Sequence, residues 1–105
     1  MKIINLTPHS VTLCGEDGSI TIEPSGVVAR VATTQCTIGD YNGVPIVIET
    51  IGQVSNLPDE AQNVCYIVSR LVAQAECLRR DLYFPTNLLR DSQGRITGAG
   101  ALGQI

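Results

Sequence analysis

The sequence predicts an α+β fold: a small, mostly antiparallel sheet of short strands covered by one substantial helix. Two observations predict the sheet. Short alternating or β-branched segments recur along the chain, and turn pairs such as Asp17-Gly18 and Asn42-Gly43 separate them. A third observation predicts the helix, because apolar residues at helical spacing are concentrated in residues 70–80. We therefore expect six or seven strands and one helix.

Size and composition indicate one domain spanning residues 1–105. A chain of this length with 44% hydrophobic residues can build a core without disulfides or metals. Charged residues make up only 16%, against about 25% in a typical globular protein. Much of the surface is therefore neutral or apolar, and we expect a homo-oligomer.

The first half of the chain is predicted to form paired strands, at residues 2–7, 11–14, 20–22, 27–37 and 44–50. Pro8 ends the first strand, and the bend after it should return the chain antiparallel into the second. The Asn42-Gly43 pair is the strongest short hairpin signal in the sequence and should join the last two strands. Arg30 lies on the fourth strand, either at its solvent edge or pointing into a pocket.

A buried strand and the helix are predicted next. Residues 64–69 are almost wholly apolar, which is typical of a strand buried on both faces. Ser69 can cap a following helix over residues 70–80, which should end at Asp81 and the Phe84-Pro85 pair. Residues 84–87 then form a short exposed link. Residues 88–91 and 95–97 should form a hairpin around Gly94, and the glycine-rich tail adds a short last strand at most.

The N-terminus and the cysteines bear on location and metal binding. Pro8 and His9 interrupt the chain before any long apolar run, so we expect no signal peptide or membrane span and a cytoplasmic protein. The four cysteines lack a C-x-x-C pair and accompany a single histidine. We therefore expect reduced, half-buried thiols, no metal and no cofactor. They are Cys14, Cys36, Cys65 and Cys77.

Charge is divided unevenly along the chain. Residues 1–60 carry seven acidic groups against Lys2 and Arg30, whereas residues 61–105 carry three acidic groups against five arginines. The net charge of −3 argues against a nucleic-acid-binding protein, but a local arginine cluster suits a small phosphorylated ligand. The alternative for any single arginine is a solvated surface charge or a complement to the helix dipole.

No complete catalytic constellation is evident. His9 is the only imidazole, and nothing marks a nucleophile and an orienting group around it. The glycines do not form a P-loop or a dinucleotide-binding motif. We therefore predict a non-enzymatic binding protein.

Several short motifs together resemble a known group of proteins. They are NLTPH at residues 5–9, PSGVVARV around Arg30, the YIVS strand, and DLYFPTNLLRDSQGRI at residues 81–96. They resemble a family of small phage and actinobacterial proteins, and through it the phage Thoeris anti-defence proteins that act as sponges. Such proteins capture a cyclic ADP-ribose isomer, and some also bind cyclic oligonucleotides, without degrading them.

The resemblance implies a site and a function. It implies ligand-binding roles for Arg30, Phe84, Asn87, Arg90 and Arg95, with arginines on phosphates and an aromatic ring on the base. Whether Tyr83 or Phe84 would stack is left open. It further implies a dimer or hexamer that sequesters a cyclic nucleotide immune signal in the host bacterial cytoplasm, with no nucleic-acid or membrane partner. The alternatives are an enzyme that cleaves a nucleotide signal and a protein-interaction module.

Overall fold

The computed structural model describes all 105 residues and contains eight strands and one short helix. In chain order these are β1 Lys2–Asn5, β2 Val11–Gly15, β3 Gly18–Ile22, β4 Arg30–Tyr41, β5 Val44–Ser55, β6 Val64–Ile67, α1 Arg70–Ala75, β7 Leu82–Arg90 and β8 Ile96–Gly103. Six strands form one mixed sheet in the order β1-β6-β7-β8-β2-β3, and β4 pairs with β5 in a separate sheet. No helix has the length and apolar character needed to cross a membrane.

The predicted α+β class, with one substantial helix, is wrong, because the molecule is mostly β. The helix has six residues and ends at Ala75 rather than Arg80. Its start matches the prediction, since the Ser69 hydroxyl accepts a hydrogen bond from the Val72 amide at 3.3 Å. Beyond the helix, the chain leaves the core and exposes 92% of Leu78.

An ion pair accounts for the early end of the helix. Arg79 makes a two-pronged contact with Asp81, at 2.9 Å and 2.7 Å, and donates to the Pro58 carbonyl at 2.9 Å. These contacts hold residues 79–81 in a turn that leads into β7, whereas a continued helix would carry Arg79 away from Asp81. Tertiary hydrogen bonds have therefore overridden the local helical pattern.

The pairing of β1 also differs from the prediction. β1 lies parallel to β6, and β2 lies at the other side of the sheet between β8 and β3. The predicted antiparallel pairing of the first two strands is therefore wrong, because the bend at Pro8 carries the chain across the sheet instead of back along β1. The predicted hairpin of β2 and β3 is confirmed.

The segment after the helix is more ordered than the sequence indicates. The predicted exposed link at residues 84–87 lies within β7, and Phe84 is buried. The tail forms β8, eight residues that pair antiparallel with β7. The predicted hairpin turn at Gly94 is confirmed, with φ of 82°. Pro85 is compatible with a strand here because β6 pairs with β7 only as far as Tyr83, so Pro85 has a neighbouring strand on one side only.

The long hairpin of β4 and β5, which we call the arm, is the third predicted hairpin that the structure confirms. Its turn residues Asn42 and Gly43 have φ of 49° and 84°, as a tight hairpin turn requires. Each strand is twelve residues long, and most of their side chains are exposed. Only the base of the arm, near Val31 and Val54, packs against the core.

The core is small and lies where the helix, β6, β7 and the base of the arm meet. Only 12 of the 105 residues are buried. The main cluster comprises Leu6, Ala29, Tyr66, Val68, Val72, Ala73, Leu82 and Phe84. The strand predicted to be central, β6, is confirmed as buried, since Cys65, Tyr66 and Ile67 are each less than 5% exposed.

The Arg79–Asp81 pair should make stability depend on pH. Hydrogen bonding from Arg79 lowers the pKa of Asp81 below its ordinary value. A lowered carboxyl pKa adds stability that is present above the ordinary pKa and is lost as pH falls through the folded-state value. We expect Asp81→Asn to destabilise the protein by about 1.5–3 kcal/mol at neutral pH, with the difference from the parent shrinking in acid. Urea unfolding at a series of pH values measures this; a pH-independent difference would contradict it.

Candidate functional site

The candidate site is centred on an arginine that lies over an aromatic ring. Arg70 is the first residue of α1, and its guanidinium carbon lies 5.2 Å from the centre of the Phe84 ring. The Ser69 cap fixes the start of the helix, and β7 holds Phe84 in the core with 7% of its surface exposed. This distance is within the range of a cation–π contact.

Arg30 borders the same core from the arm. It follows Ala29, which is buried in the cluster that contains Phe84, and it begins β4. Its side chain is exposed, and no carboxylate pairs with it. Since α1 packs against both strands of the arm, Arg30 and Arg70 lie on neighbouring elements.

The other predicted site residues lie elsewhere. Arg90 and Arg95 are at the turn of the β7–β8 hairpin, six residues along β7 from Phe84. At the rise of a strand, this places them about 20 Å from the ring. Asn87 lies between, exposed on β7 with φ of 51°. One compact cyclic nucleotide cannot reach both ends within a single chain.

Contacts within the hairpin turn already occupy some of the hydrogen-bond donors of Arg90 and Arg95. Arg90 donates to the Gly94 carbonyl at 3.0 Å, and Arg95 contacts Gln93 and lies 3.6 Å from Asp91. Asp91 also accepts from the amides of Gln93 and Arg95. The pair therefore stabilises its own turn and leaves only some donors free for a ligand.

The concave surfaces of the molecule do not coincide with the predicted site. A groove of about 200 Å³ lies between β2 and the β7–β8 hairpin. Its lining is neutral, with hydroxyls from Ser10, Thr12 and Thr97 and apolar contacts from Leu88 and Ile96. No charged side chain lines it, so it lacks the groups that would hold a phosphate.

Arg70 is the residue that sequence reasoning missed. Arg30, Arg70, Arg80 and Arg90 make no ion pair, whereas Arg79 is held by Asp81 and Glu60. Burial and a bidentate carboxylate therefore make Arg79 structural. The signal that could have found Arg70 is its place directly after a capping serine, which fixes the position of its backbone.

Groups that could perform acid–base or nucleophilic chemistry are scattered. The His9 backbone carbonyl accepts hydrogen bonds from the side chains of Asn5 and Thr7. The prediction of half-buried cysteines is wrong for Cys36 and Cys77, which are exposed. Cys65 is buried, and desolvation raises its pKa, which favours the unreactive thiol. No three metal-ligating side chains cluster together.

Comparisons with known proteins do not assign the chain to a family. No family model matches the chain, and no curated protein or solved structure matches it.

Proposed function

We propose that this protein binds a small cyclic nucleotide through Arg70 and Arg30 and holds it without converting it. The observation that carries the proposal is the Arg70 guanidinium, which lies over Phe84 with no carboxylate partner in a chain of net charge −3. An acidic protein has carboxylates with which to neutralise its arginines. Of the four arginines without a carboxylate partner, Arg70 lies over Phe84 of the core cluster and Arg30 follows Ala29 of the same cluster, so both have cationic groups free for an anionic ligand.

The chemistry of a cyclic ADP-ribose isomer suits these two arginines. Its pyrophosphate can accept paired hydrogen bonds from a guanidinium, and its adenine can stack on the outer face of the same planar group. Phe84 then acts as the platform beneath Arg70 instead of stacking on the base itself. This changes the role of Phe84 from the one implied by the resemblance.

The resemblance supports sequestration of the ligand as the biological role of this protein. A phage protein that holds an immune signal in the host cytoplasm needs affinity and concentration, and no catalytic group. Arg90, Arg95 and Asn87 would contribute in such a protein if a second protomer brings its hairpin turn to the Arg70 region. A homo-oligomer could therefore complete a pocket that one chain leaves open.

Removing Arg70 should weaken binding strongly. We expect Arg70→Ala to reduce the affinity for cyclic ADP-ribose by about ten- to a hundredfold, which corresponds to about 1.5–3 kcal/mol for a charge-assisted contact. Arg30→Ala should have an effect of the same order. Titration calorimetry with cyclic ADP-ribose and with cyclic di-AMP measures both variants.

Lys2→Ala is the matched control, since it removes one exposed cation from β1 on the edge of the sheet. It should bind as the parent does. After binding, the protein is heat-denatured and the released ligand is analysed. Intact ligand supports sequestration, and altered ligand would identify an enzyme. If the parent binds neither nucleotide, or if folded Arg70→Ala and Arg30→Ala bind as tightly as the parent, the proposal fails.

A further inference from the structure

A single chain exposes more surface than its mass predicts. A folded monomer of 11.2 kDa is expected to expose about 5,700 Å², whereas this chain exposes 7303 Å². Its radius of gyration is 16.5 Å, against about 13 Å for a compact domain of this length. The surplus is roughly 1,600 Å², and each partner in a standard interface buries only about 800 Å². The chain therefore has enough surplus surface for a stable interface.

The arm accounts for this extended shape. A two-stranded hairpin is marginally stable in water when nothing covers it. Each of its strands has a partner on one side only, so both outer edges are unpaired. The arm nevertheless continues for twelve residues per strand while only its base reaches the core. Such a long uncovered hairpin is expected to pack against something.

The two faces of the arm differ in character. Cross-strand partners share a face, and the alternation along each strand separates neighbouring pairs. One face, which we call the apolar arm face, carries Cys36, Tyr41, Val44, Ile46 and Ile48. Of these, Tyr41 and Val44 are 72% and 63% exposed. Ile38, in the bulge beside this face, is 60% exposed.

The opposite face carries both acids of the arm and other polar residues, together with the apolar Pro45, Val47 and Ile51. Gln35 donates to Glu49 at 3.0 Å across the strands, and Asp40 accepts from the Gly43 amide in the turn. The register places Asp40 with Pro45 and Thr37 with Val47 on this side. Both acidic side chains of the arm are thus directed away from the apolar arm face.

We propose that the apolar arm face packs against the same face of a second copy of this chain. A contact between identical faces is closed by a twofold axis and leaves no further apolar surface for a third copy at that site. Because the acids lie on the opposite faces, no like charges meet in this contact. The arm beyond Arg30 carries no cation, which makes an anionic membrane surface a poor alternative occupant.

One substitution on each face tests the proposal. Ile48→Asp places a charge in the middle of the apolar arm face and should raise the dimer dissociation constant by about a hundredfold or more. Val47→Asp is the matched control, because Val47 is the adjacent residue of the same strand on the opposite face, which already carries the acids. Light scattering after size exclusion, at several protein concentrations, measures the mass of each.

Cys36 gives a second readout that requires no variant. Cys36 lies on the apolar arm face opposite Ile48, whereas the exposed Cys77 lies outside the arm. At a protein concentration about ten times the dissociation constant, about one fifth of the chains are monomeric, so Cys36 in the parent should react with a thiol reagent roughly fivefold more slowly than on dilution. Cys77 should be unaffected, and in Ile48→Asp both thiols should react rapidly.

The outcomes separate clearly. Dimeric parent and Val47→Asp proteins, a monomeric Ile48→Asp protein, and a protected Cys36 support the proposal. A parent that is monomeric at tens of micromolar, or an oligomer in which Cys36 reacts as fast as Cys77, overturns it. An oligomer that survives Ile48→Asp also overturns it, since association then uses another surface. If Ile48→Asp fails to fold, the Cys36 measurement on the parent decides.

Discussion

Replacing Asn5 with alanine should lower the free energy of unfolding by about 3–4 kcal/mol, from the loss of several buried hydrogen bonds. The Asn5 side chain is 1% exposed and fully bonded. Its amide nitrogen donates to the His9 carbonyl at 2.8 Å and to the Ile22 carbonyl at 3.0 Å. Its oxygen accepts from the amide and hydroxyl of Thr7, at 2.9 Å and 2.6 Å. Alanine leaves the Ile22 carbonyl and the Thr7 amide without these partners, whereas the Thr7 hydroxyl can still donate to the His9 carbonyl.

Two further variants show whether the loss comes from this network. Thr7→Val removes one hydroxyl and should cost about 1 kcal/mol. Asn5→Asp retains the oxygen that Thr7 contacts but directs a carboxylate at two carbonyl oxygens, so it should be about as damaging as alanine at neutral pH. Urea unfolding measures all three. An Asn5→Ala protein as stable as the parent would show that these bonds contribute nothing net.

This network assigns a structural role to the motif that opens the resemblance. In the NLTPH motif, the asparagine side chain ties the bend after β1 to the end of β3, and the threonine closes the turn. The motif therefore fixes how the first strand enters the sheet. Because the motif stabilises the fold, it does not by itself indicate which ligand the protein binds.

The hairpins could be predicted because their signals are local. Asn42-Gly43 adopts the backbone conformation that its residue types favour, and Gly94 does the same at the second turn. The helix could not be predicted correctly, because its length depends on the contact of Arg79 with Pro58, 21 residues away. The parallel pairing of β1 with β6 joins segments about 60 residues apart, and no turn chemistry marks it.

The sequence shows that five of the six arginines lie in residues 61–105, but it does not show which of them lack a carboxylate partner. Arg79 and Arg95 have carboxylate partners, and Arg70 does not. The sequence predicts that Phe84 lies in an exposed link, because it precedes a proline, yet Phe84 is buried in β7. The Phe84-Pro85 pair excludes a helix but is compatible with either an exposed link or a strand. The packing of α1 on β7 shows that this segment is a strand.

Replacing Phe84 with alanine should destabilise the protein by about 3–5 kcal/mol, the usual effect of removing a buried phenylalanine. The ring packs directly on the backbone of β8. A Cβ atom added to Gly103 would lie 2.6 Å from the ring, so glycine is required there to make room for it. Loss of nucleotide binding by Phe84→Ala would therefore reflect unfolding, and thermal or urea unfolding should be measured first.

Phe84→Leu separates packing from the aromatic contact with Arg70. Leucine refills much of the cavity and should cost about 1.5 kcal/mol or less if the site repacks. In a double-mutant cycle of unfolding free energies, Phe84→Leu and Arg70→Ala should show a coupling of about 0.5–1 kcal/mol, the size of an exposed cation–π contact. A cycle with Arg80→Ala, which removes an arginine without such a contact, should show none. Equal coupling in both cycles would mean that the ring does not hold Arg70 in place, and Phe84 would then serve the core alone.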